Sequence, residues 1–534
     1  MRPTALRSHA RRAVVTLVAV ALAAGCAASP APSVSNRAPL LPIPASLSPG
    51  PGLETPSPVP STPSPSGTPV TVMVPLVPVM GFWSDRRSIT RDELAAAVAG
   101  TATDAEPILV SSADVAGLAS LLGVTPGPTV RALSGAGIVT QLADTPGVLG
   151  VVRAADVGPG MRALDVDGKS LFGEQRVTDL ASWPLLVPSV ADASAAFDPG
   201  ALWTLAAGGD VMLDRAVYDR TVIQGLGADY PWAGGTAKVT SRYCCGSPGL
   251  KLAAGQSTGN AGAFASVFRN ADLALVNLEG PAPDKFSYHP DGGLTFTMDP
   301  ALLVGLAHAG IDIASLANNH IRNDGAIGVT DTMKNLDAIG IKHMGAGPTL
   351  SAARAPAWAT AGGLKIAILG YNGIDTTQAA TATSAGSAPL VESQIVADIK
   401  AARSAGADLV VVVPHWGVEY TDTISAAQRG IASELIQAGA DIILGSHSHW
   451  AGPLELVNGH LVVYSFGDLV FDLGHDERTQ ESMVAELTFA GRTLVQVDLH
   501  PTLILDKSQP SLLEADGGGS TLLAAIAAGS AKLP

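Results

Sequence analysis

Five short polar clusters, each placed where an apolar run ends, constrain the fold of this chain more than any other feature. In chain order they are GGDVMLD (208–214), NLEG (277–280), ANNH (317–320), PHWG (414–417) and GSHSH (445–449). The apolar runs are predicted strands, and helical patterns alternate with them, which favours a layered α/β domain. Ligands of open α/β sheets bind beyond the carboxyl ends of the strands, so we expect the five clusters to meet along one edge.

The side-chain types in these clusters suit a pair of divalent metal ions. Carboxylates, neutral imidazoles and an amide oxygen are ligands for Zn, Mn, Fe or Mg, and the sequence does not choose among these ions. Two such ions held about 3.5–4 Å apart can grip one phosphate-like group and activate water beside it. The clusters therefore predict metal-assisted hydrolysis of a phosphoester or of an amide.

These segments resemble the calcineurin-like phosphoesterases, and within them the CapA family, which is named for poly-gamma-glutamate capsule synthesis. The likeness runs from Trp203 to about Asp498 and rests on GDVML, NLE, ANNH with a following Asp-Gly, HWG and GSHSH, in that order. The resemblance implies an α/β fold over residues 197–505, built as a layered β-sandwich flanked by helices. It also implies a cell-envelope hydrolase linked to capsule or poly-gamma-glutamate biosynthesis.

The resemblance further implies a role for individual residues. His320 would donate a proton or stabilise the transition state, and Asp324 would orient it. Met212 stands where the wider superfamily has a His, so one metal ion would lose a ligand. Glu279 stands where a bridging Asp is usual, so the distance between the two ions would differ. The implied metal ligands are Asp210, Glu279, Asn319, His415, His447 and His449.

Five further residues are candidates for supporting the site or for contacting substrate: Asn277, Asp214, Trp416, Asn372 and Asp468. Simpler interpretations stay open for several of them. Asp214 is equally suited to capping the helix that follows it. Trp416 is more often a packing residue than a substrate platform, and Asp468 is equally suited to a turn.

The N-terminus has the pattern of an exported chain. Four arginines precede an apolar run at residues 13–24, which is too short for a comfortable membrane span. The run ends in LAAGC, which resembles a bacterial lipoprotein signal with Cys26 as the lipidated residue; an ordinary secretory signal is the alternative. We expect an extracytoplasmic protein attached to the membrane through this lipid, with the Pro-, Ser- and Thr-rich residues 27–68 as a disordered tether.

Two regions flank the hydrolase-like part of the chain. Residues 69–196 read as a small α/β domain that weakly resembles one lobe of a phosphate-type periplasmic binding protein; an accessory domain without a ligand is the alternative. Residues 506–534 are rich in small side chains and are predicted to be a C-terminal tail.

The charge of the chain limits its partners. A formal net charge of −15 opposes binding to nucleic acid, so an anionic cell-envelope polymer or phosphoester would need a local positive site such as a metal ion. Two functions compete: a metal-dependent hydrolase, and a non-catalytic binding or assembly protein for an anionic polymer with a degenerate metal site. His320 and Asp324 favour the first, whereas Met212 and Glu279 favour the second.

Overall fold

The structure is a computed structural model that describes residues 70–102, 106–145, 147–191, 196–244, 251–290 and 292–533. These residues belong to one compact unit, Pro65–Pro534. The predicted signal peptide with Cys26 and the predicted tether at 27–68 lie outside the described residues. Across the described ranges, no helix is both long enough and apolar enough to cross a membrane.

The first part of the chain forms a six-stranded sheet with helices. Its elements are β1 (Val70–Gly81), β2 (Ser88–Ile89), α1 (Arg91–Ala99), β3 (Ile108–Ser111), α2 (Val115–Leu122), β4 (Val130–Leu133), α3 (Gly135–Asp144), β5 (Leu149–Arg153), β6 (Met161–Ala163), β7 (Asp165–Val166) and β8 (Leu186–Ala191). The strand order is β4-β3-β5-β1-β6, and β8 pairs with β1. Thr90 and Glu93 form a capping box at the start of α1, at the N-cap signal present in the sequence.

The remainder of the chain forms two large sheets and their helices. Its strands are β9 (Leu202–Val211), β10 (Thr236–Cys244), β11 (Lys251–Gly259), β12 (Leu273–Leu278), β13 (Ile313–Ser315), β14 (Lys342–Met344), β15 (Ala346–Gly347), β16 (Ala357–Ala361), β17 (Leu364–Asn372), β18 (Gly386–Ser387), β19 (Leu409–His415), β20 (Ile442–Leu444), β21 (Leu454–Val457), β22 (His460–Val463), β23 (Asp468–Val470), β24 (Glu481–Ala490), β25 (Thr493–Leu505) and β26 (Gln509–Leu513). Its helices are α4 (Arg215–Tyr218), α5 (Ala263–Arg269), α6 (Val304–His308), α7 (Gly325–Ala338), α8 (Leu350–Ala353), α9 (Glu392–Ser404), α10 (Ala426–Ala438), α11 (Glu477–Gln480) and α12 (Ser520–Ser530).

The two large sheets pack face to face over a shared apolar core. On the inner face, Trp203 of β9 stacks on Phe489 of β24 with ring centroids 4.3 Å apart, and Val411 of the opposite sheet belongs to the same core. The outer faces are covered by helices, with Phe264 of α5 on one side and Leu435 of α10 on the other. Burying both faces of each sheet in this way confirms the predicted layered sandwich with flanking helices.

Parallel pairing brings the strand ends that carry the polar clusters to one edge of each sheet. In the ten-stranded sheet, β9, β12, β13 and β14 are parallel neighbours. In the second of the two large sheets, which has six strands in the order β16-β17-β19-β20-β22-β21, the strands β17, β19, β20 and β22 are parallel neighbours. The register pairs Asn277 with Asp210 in the first sheet and Asn372 with His415 in the second. All five polar clusters therefore follow the carboxyl ends of central strands.

The predicted C-terminal tail was wrong. Residues 506–534 contain β26, which pairs with β25, and the helix α12. Leu522, Leu523 and Ile526 of α12 are buried in the core between the two large sheets. The small residues of α12 include four alanines, at positions 524, 525, 527 and 528, which are the strongest helix formers, and the three apolar residues lie on one face of the helix.

An ion pair joins the first sheet to the ten-stranded sheet. The guanidinium of Arg162 in β6 is buried and contacts the carboxylate of Asp498 in β25. Burial alone would raise the pKa of Asp498, but the positive charge of Arg162 outweighs it and lowers that pKa to about 2. Removing the carboxylate would leave a buried guanidinium without its counterion.

We expect Asp498→Asn to lower the free energy of unfolding by about 3 kcal/mol, as when one partner of a buried ion pair is removed. The measurement is denaturant titration at several pH values. Because the folded-state pKa is depressed, the contribution of Asp498 is complete above its ordinary value of 3.8 and is lost as pH falls toward 2. Asp229→Asn is the control, since its pair with His308 is exposed and should cost less than about 1 kcal/mol. Equal losses in the two variants would contradict this account.

Candidate metal centre

Two overlapping groups of buried side chains lie at the shared edge of the sheets. The first contains Asp210, Glu279 and His449, and the second contains Glu279, His415 and His447. Within each group, one ligand atom from every residue lies within 4.8 Å of the others. Glu279 belongs to both groups. The arrangement therefore fits two cation positions that share one carboxylate, on a donor set of oxygen and imidazole nitrogen.

The carboxylate of Glu279 is the group that most requires a cation. It is fully buried, and among the described residues neither of its oxygens has a hydrogen-bond partner. Its Oε1 lies 3.8 Å from Nε2 of His415 and 3.9 Å from Nε2 of His320. Burial, followed by the negative charge of Asp210, raises the pKa of Glu279 well above its ordinary value. A carboxylate buried without hydrogen bonds is unfavourable unless a positive ion compensates it, so these residues fit a metal ion.

Three donor atoms converge beside Glu279. Nε2 of His415 lies 3.1 Å from Nδ1 of His447 and 2.8 Å from Oδ1 of Asn319. Two nitrogens that each bind one ion at about 2.0–2.1 Å would lie about 3 Å apart, as these do. Ser446 Oγ lies 2.9 Å from Nδ1 of His415 and orients the ring. Burial lowers the pKa of His447 to about 3 and that of His415 well below its ordinary value, so both rings are neutral and suited to bind a cation.

The loop after β20 adopts a strained backbone that turns two imidazoles toward the edge. His447 has φ of 101° and His449 has φ of 58°, both in the region that non-glycine residues rarely occupy. The amide of His447 donates to Oδ2 of Asp210 at 3.3 Å, which ties this loop to β9 across the two sheets. Strain of this kind persists where the surrounding contacts hold the loop, and it is common at functional sites.

Asp468 is brought into the centre by its register with Asp210. Its Oδ1 lies 2.7 Å from Nδ1 of His449, and its Oδ2 has no hydrogen-bond partner among the described residues. Burial raises the pKa of Asp468 to about 7. Burial would lower the pKa of His449, but the charge of Asp468 outweighs it and raises that pKa to about 10. Asp468 thus holds the ring of His449, as carboxylates behind metal-ligating histidines do, and is not a simple turn residue.

The structure assigns the partner of His320 differently from the sequence prediction. Asp324 lies at the N-terminus of α7 with its side chain against Gly328, and within the described ranges it makes neither a hydrogen bond nor an ion pair with His320. Nδ2 of Asn323 lies 3.1 Å from Nδ1 of His320 instead. The amide of Asn323 donates to the carbonyl of His320 at 2.8 Å, and this turn brings residue i+3 back to the ring. The predicted contact between Asp324 and His320 is therefore wrong, and the preceding residue, Asn323, makes this contact.

Asn277 and Asn372 support the ligand-bearing loops from behind. Asn277 Nδ2 donates to Oδ1 of Asp210 at 2.7 Å. The side chain of Asn318 donates from Nδ2 to the carbonyl of Leu278 at 2.8 Å. Asn372 Nδ2 donates to the carbonyl of Asn318 at 3.1 Å. These amides join the ends of β9, β12, β13 and β17, so the ligands are held in place by hydrogen bonds between buried groups.

Asp214 anchors a loop and does not belong to either ligand group. Its Oδ1 accepts from the amides of Arg215 at 2.7 Å and His289 at 3.1 Å. Its Oδ2 accepts from the amide of Thr297 at 3.0 Å and lies 2.6 Å from Nδ1 of His289. Asp214 therefore caps α4 and also ties down both ends of the loop that carries Phe296, whose ring stacks on His320.

Trp416 is a packing residue, which is the simpler of the two interpretations that the sequence left open for it. It is 3% exposed, and its Nε1 donates to the carbonyl of Tyr464 at 3.1 Å. A partly exposed aromatic ring beside the centre is that of Tyr420, which stacks on His449 with centroids 5.6 Å apart and is 37% exposed. Tyr420 lies in a loop beyond the HWG cluster and belongs to none of the five clusters, so no pattern in the sequence indicated it.

Met212 packs against aromatic rings that border the centre, since Phe296 stacks on His320 and the Phe471 ring centroid lies 5.1 Å from that of His449. It is fully buried in a small apolar cluster with Phe296, Phe471 and Ile504. A thioether in this cluster fills space and provides no ligand of the kind that a hard divalent cation prefers.

We expect Glu279→Gln to reduce the divalent metal bound by the protein and to raise the melting temperature of the metal-free form at neutral pH. The amide removes the buried charge, and metal loss follows from the loss of the shared ligand. Because the pKa of Glu279 is raised in the folded protein, the wild type regains this stability as pH falls, so the difference between the two proteins should shrink in acid.

Elemental analysis and thermal melts of the chelator-treated protein measure both effects of Glu279→Gln. The control is Glu392→Gln, which changes an exposed residue at the start of α9 and should leave both quantities unchanged. Full metal content in Glu279→Gln would contradict the assignment of a shared ligand.

Known proteins resemble the chain over the same region. The family described as "Bacterial capsule synthesis protein PGA_cap" matches residues 204–473, just over half of the chain. The capsule biosynthesis protein CapA of Bacillus anthracis is 29% identical over 254 residues, which are 46% of this chain and 62% of that protein. A PGA biosynthesis protein CapA of Bacillus subtilis is 31% identical over 223 residues, 41% of this chain and 58% of that protein. The matches thus span about six-tenths of these two relatives.

A probable polyglutamine synthesis accessory protein of Mycobacterium tuberculosis is 28% identical over 329 residues, 56% of this chain and 84% of that protein. Among solved structures, the NAD nucleotidase of Haemophilus influenzae matches with a TM-score of 0.34 and 13% identity, over 61% of this chain and 62% of that one. An ABC-type phosphate transport receptor of Vibrio cholerae matches with a TM-score of 0.20 and 15% identity, over 24% of this chain and 62% of that one. The resemblance predicted from the motifs is confirmed: the chain belongs to the bacterial capsule synthesis protein family PGA_cap.

Proposed function

We propose that this chain is a metal-dependent hydrolase of the cell envelope that serves capsule synthesis, with an anionic polymer such as poly-gamma-glutamate or a phosphoester as its substrate. Family membership and the capsule-related names of its relatives support the capsule role. The buried donor groups support the metal dependence. The chain matches only about six-tenths of the length of the two CapA relatives, so an activity like theirs is a proposal for this chain.

One observation carries the proposal: within the part of the chain that the structure describes, the two oxygens of Glu279 are buried without hydrogen-bond partners, among imidazoles and a second carboxylate. Replacing a buried charged group by a well-packed apolar side chain of similar volume often leaves stability unchanged or increases it. Its presence is explained when a cation balances its charge. The ring of His320, whose Nε2 lies 3.9 Å from Oε1 of Glu279, adds a proton-bearing group that cation binding alone does not need.

The residues divide the work as follows. Asp210, Glu279 and His449 would hold one divalent ion, and Glu279 with His415, His447 and Asn319 would hold the other. Such ions, whether Mn, Zn, Fe or Mg, supply Lewis acidity that neutralises charge developing on a phosphoryl or acyl group. His320 lies half-buried at the rim, where it would donate to an oxygen of the leaving group.

The competing function is a non-catalytic binding or assembly protein for an anionic polymer. Two observations favour it: Met212 removes a ligand that related enzymes have, and Asp324 does not contact His320. In this case the ions would serve only to attract the polymer to a chain whose net charge is −15.

We also propose where the protein works. Cys26 would be lipidated, and residues 27–68 would act as a spacer that holds the folded unit away from an extracytoplasmic membrane surface. The capsule-related relatives support an envelope location.

We expect His320→Ala to reduce turnover by about 100-fold or more while metal content stays at the wild-type level, because removing a positioned proton-bearing group typically costs 10²–10⁴-fold. The assay uses elemental analysis together with a panel of a phosphomonoester, a phosphodiester and poly-gamma-glutamate. His308→Ala is the control, because that ring is exposed, pairs with Asp229 and belongs to neither ligand group. Metal-loaded protein that hydrolyses no member of the panel, or turnover unchanged in His320→Ala, would favour the non-catalytic function.

We expect Tyr420→Ala to raise KM about 5-fold with little change in the melting temperature, as loss of an aromatic contact worth about 1 kcal/mol would do. Trp416→Phe should show the opposite pattern, with a lower melting temperature and an unchanged KM, because Trp416 packs in the core. Steady-state kinetics and thermal melts on both variants test this. A higher KM in Trp416→Phe alone would restore the substrate role to Trp416.

A further inference from the structure

We infer that a cavity between the first sheet and the ten-stranded sheet is a second ligand site, which takes an amino acid with an apolar side chain as a zwitterion. Arg87 would bind its carboxylate and Glu174 its ammonium group. The cavity has a volume of about 340 Å³. Of the described residues that line it, none belongs to either ligand group of the metal centre, so the inference does not depend on the proposed function.

One wall of the cavity is a polar patch on the outer face of the ten-stranded sheet. It consists of alternate residues of two paired strands: Glu486 and Thr488 of β24, and Gln496 and Asp498 of β25. Leu487, which lies between the first two, points to the opposite face and belongs to the core shared by the two large sheets. Elsewhere the outer face packs against apolar side chains such as Phe264 of α5. The patch thus differs from the rest of this face in offering hydrogen-bonding groups to the cavity.

The opposite wall includes residues 170–175, which are held against the sheet by their backbone. The amide of Gly173 donates to Oγ1 of Thr488 at 3.0 Å, and the amide of Glu174 donates to Oε1 of Glu486. Gly173 has φ of 80°, and a Cβ at this position would lie 2.7 Å from Oε1 of Glu486. Glycine is therefore required for this close approach, which fixes Glu174 in the lining of the cavity.

Two residues of opposite charge line the cavity and each has a polar atom without a hydrogen-bond partner. Within the described ranges, Nη2 of Arg87 and Oε2 of Glu174 are both buried in this state. Burial, followed by the negative charge of Glu486, raises the pKa of Glu174 to about 7. Burial, followed by the positive charge of Arg162, lowers the pKa of Arg87 to about 10. Both charges are therefore incompletely balanced by the protein, and a ligand with complementary charges would stabilise them.

The other charged groups of the lining have partners in the protein. Asp498 is shared between the buried guanidinium of β6 and Arg87, whose Nε lies 3.8 Å away. Oε2 of Glu486 lies 3.1 Å from Nε2 of His500. Asp165 accepts a hydrogen bond from a serine hydroxyl at 2.6 Å. Binding of a ligand therefore does not require these pairs to break.

A ligand with a single charge would satisfy only one of the two groups. An anion would leave Glu174 without a cation, and a cation would leave Arg87 without an anion, whereas a zwitterion contacts both and adds no net charge to a buried region. Apolar residues that also line the cavity, among them Val77, Phe172 and Leu499, would contact an apolar side chain of the ligand. A volume of about 340 Å³ at the junction of two sheets is typical of a site for a small molecule.

The test is isothermal titration calorimetry at neutral pH on the full chain. The probes are L- and D-leucine, 4-methylpentanoate, which lacks the ammonium group of leucine, 3-methylbutylamine, which lacks its carboxylate, and inorganic phosphate. We expect one enantiomer of leucine to bind, and every single-charge probe to bind at least about 10-fold more weakly, because a hydrogen bond between charged groups is lost. This comparison uses the unmodified protein, so it stands even if a variant folds poorly.

Two variants test the two contacts separately. In Glu174→Gln we expect the affinity for leucine and for 3-methylbutylamine to fall, while the affinity for 4-methylpentanoate stays unchanged. In Arg87→Gln we expect the affinity for leucine and for 4-methylpentanoate to fall, while that for 3-methylbutylamine stays unchanged. A merely structural role for either residue would weaken the binding of every probe alike.

Arg86→Gln is the matched control, since Arg86 precedes Arg87 but pairs with Glu93 at the surface and does not line the cavity. Glu279→Gln should also leave the affinity for leucine unchanged, which distinguishes this site from the metal centre. The inference would be overturned if neither enantiomer bound, if a single-charge probe bound as tightly as leucine, or if Glu279→Gln weakened leucine binding. None of these measurements involves hydrolysis, so they leave the proposed function to its own test.

Discussion

Burying the carboxylate of Glu279 without hydrogen bonds would cost several kcal/mol if nothing balanced its charge, and the rest of the centre is arranged around that group. Asp210 and Asp468 place two more buried carboxyl groups nearby, and the negative charge of Asp210 adds to burial in raising the pKa of Glu279. His415 and His447 are neutral because burial lowers their pKa values, and they offer lone pairs without adding positive charge of their own. A site with this balance is stable when cations occupy it.

The fold supplies the geometry through parallel strands that end together. Strands β9, β12 and β13 deliver carboxylates and amides from one sheet, while β19 and β20 deliver imidazoles from the other. Because the two sheets pack over a common core that includes Trp203 and Phe489, their edges cannot slide past each other without opening that core. The buried amides of Asn277, Asn318 and Asn372 then join neighbouring strand ends by hydrogen bonds.

The sequence predicted the parts of this molecule that depend on periodicity. The alternation of apolar runs with helical patterns predicted the layered α/β domain, and the five polar clusters follow the ends of parallel strands as expected. The sequence left two interpretations open for Trp416, and packing is the one that the structure shows. Whether Trp416 faces solvent or core depends on how the next helix packs, and the sequence does not show that packing. The hydrogen-bond partner of the His320 ring depends on the geometry of a single turn, and the sequence alone does not show whether Asp324 or Asn323 reaches that ring.

The sharing of Glu279 between two ligand groups has a consequence for how ions enter. Because the pKa of Glu279 is raised in the empty centre, a proton competes with the first ion for this carboxylate, and the affinity for that ion should increase as the solution becomes more alkaline. The second ion then meets the same carboxylate already ionised and does not have to displace that proton. Binding at the two positions is therefore linked through the protonation of one shared side chain.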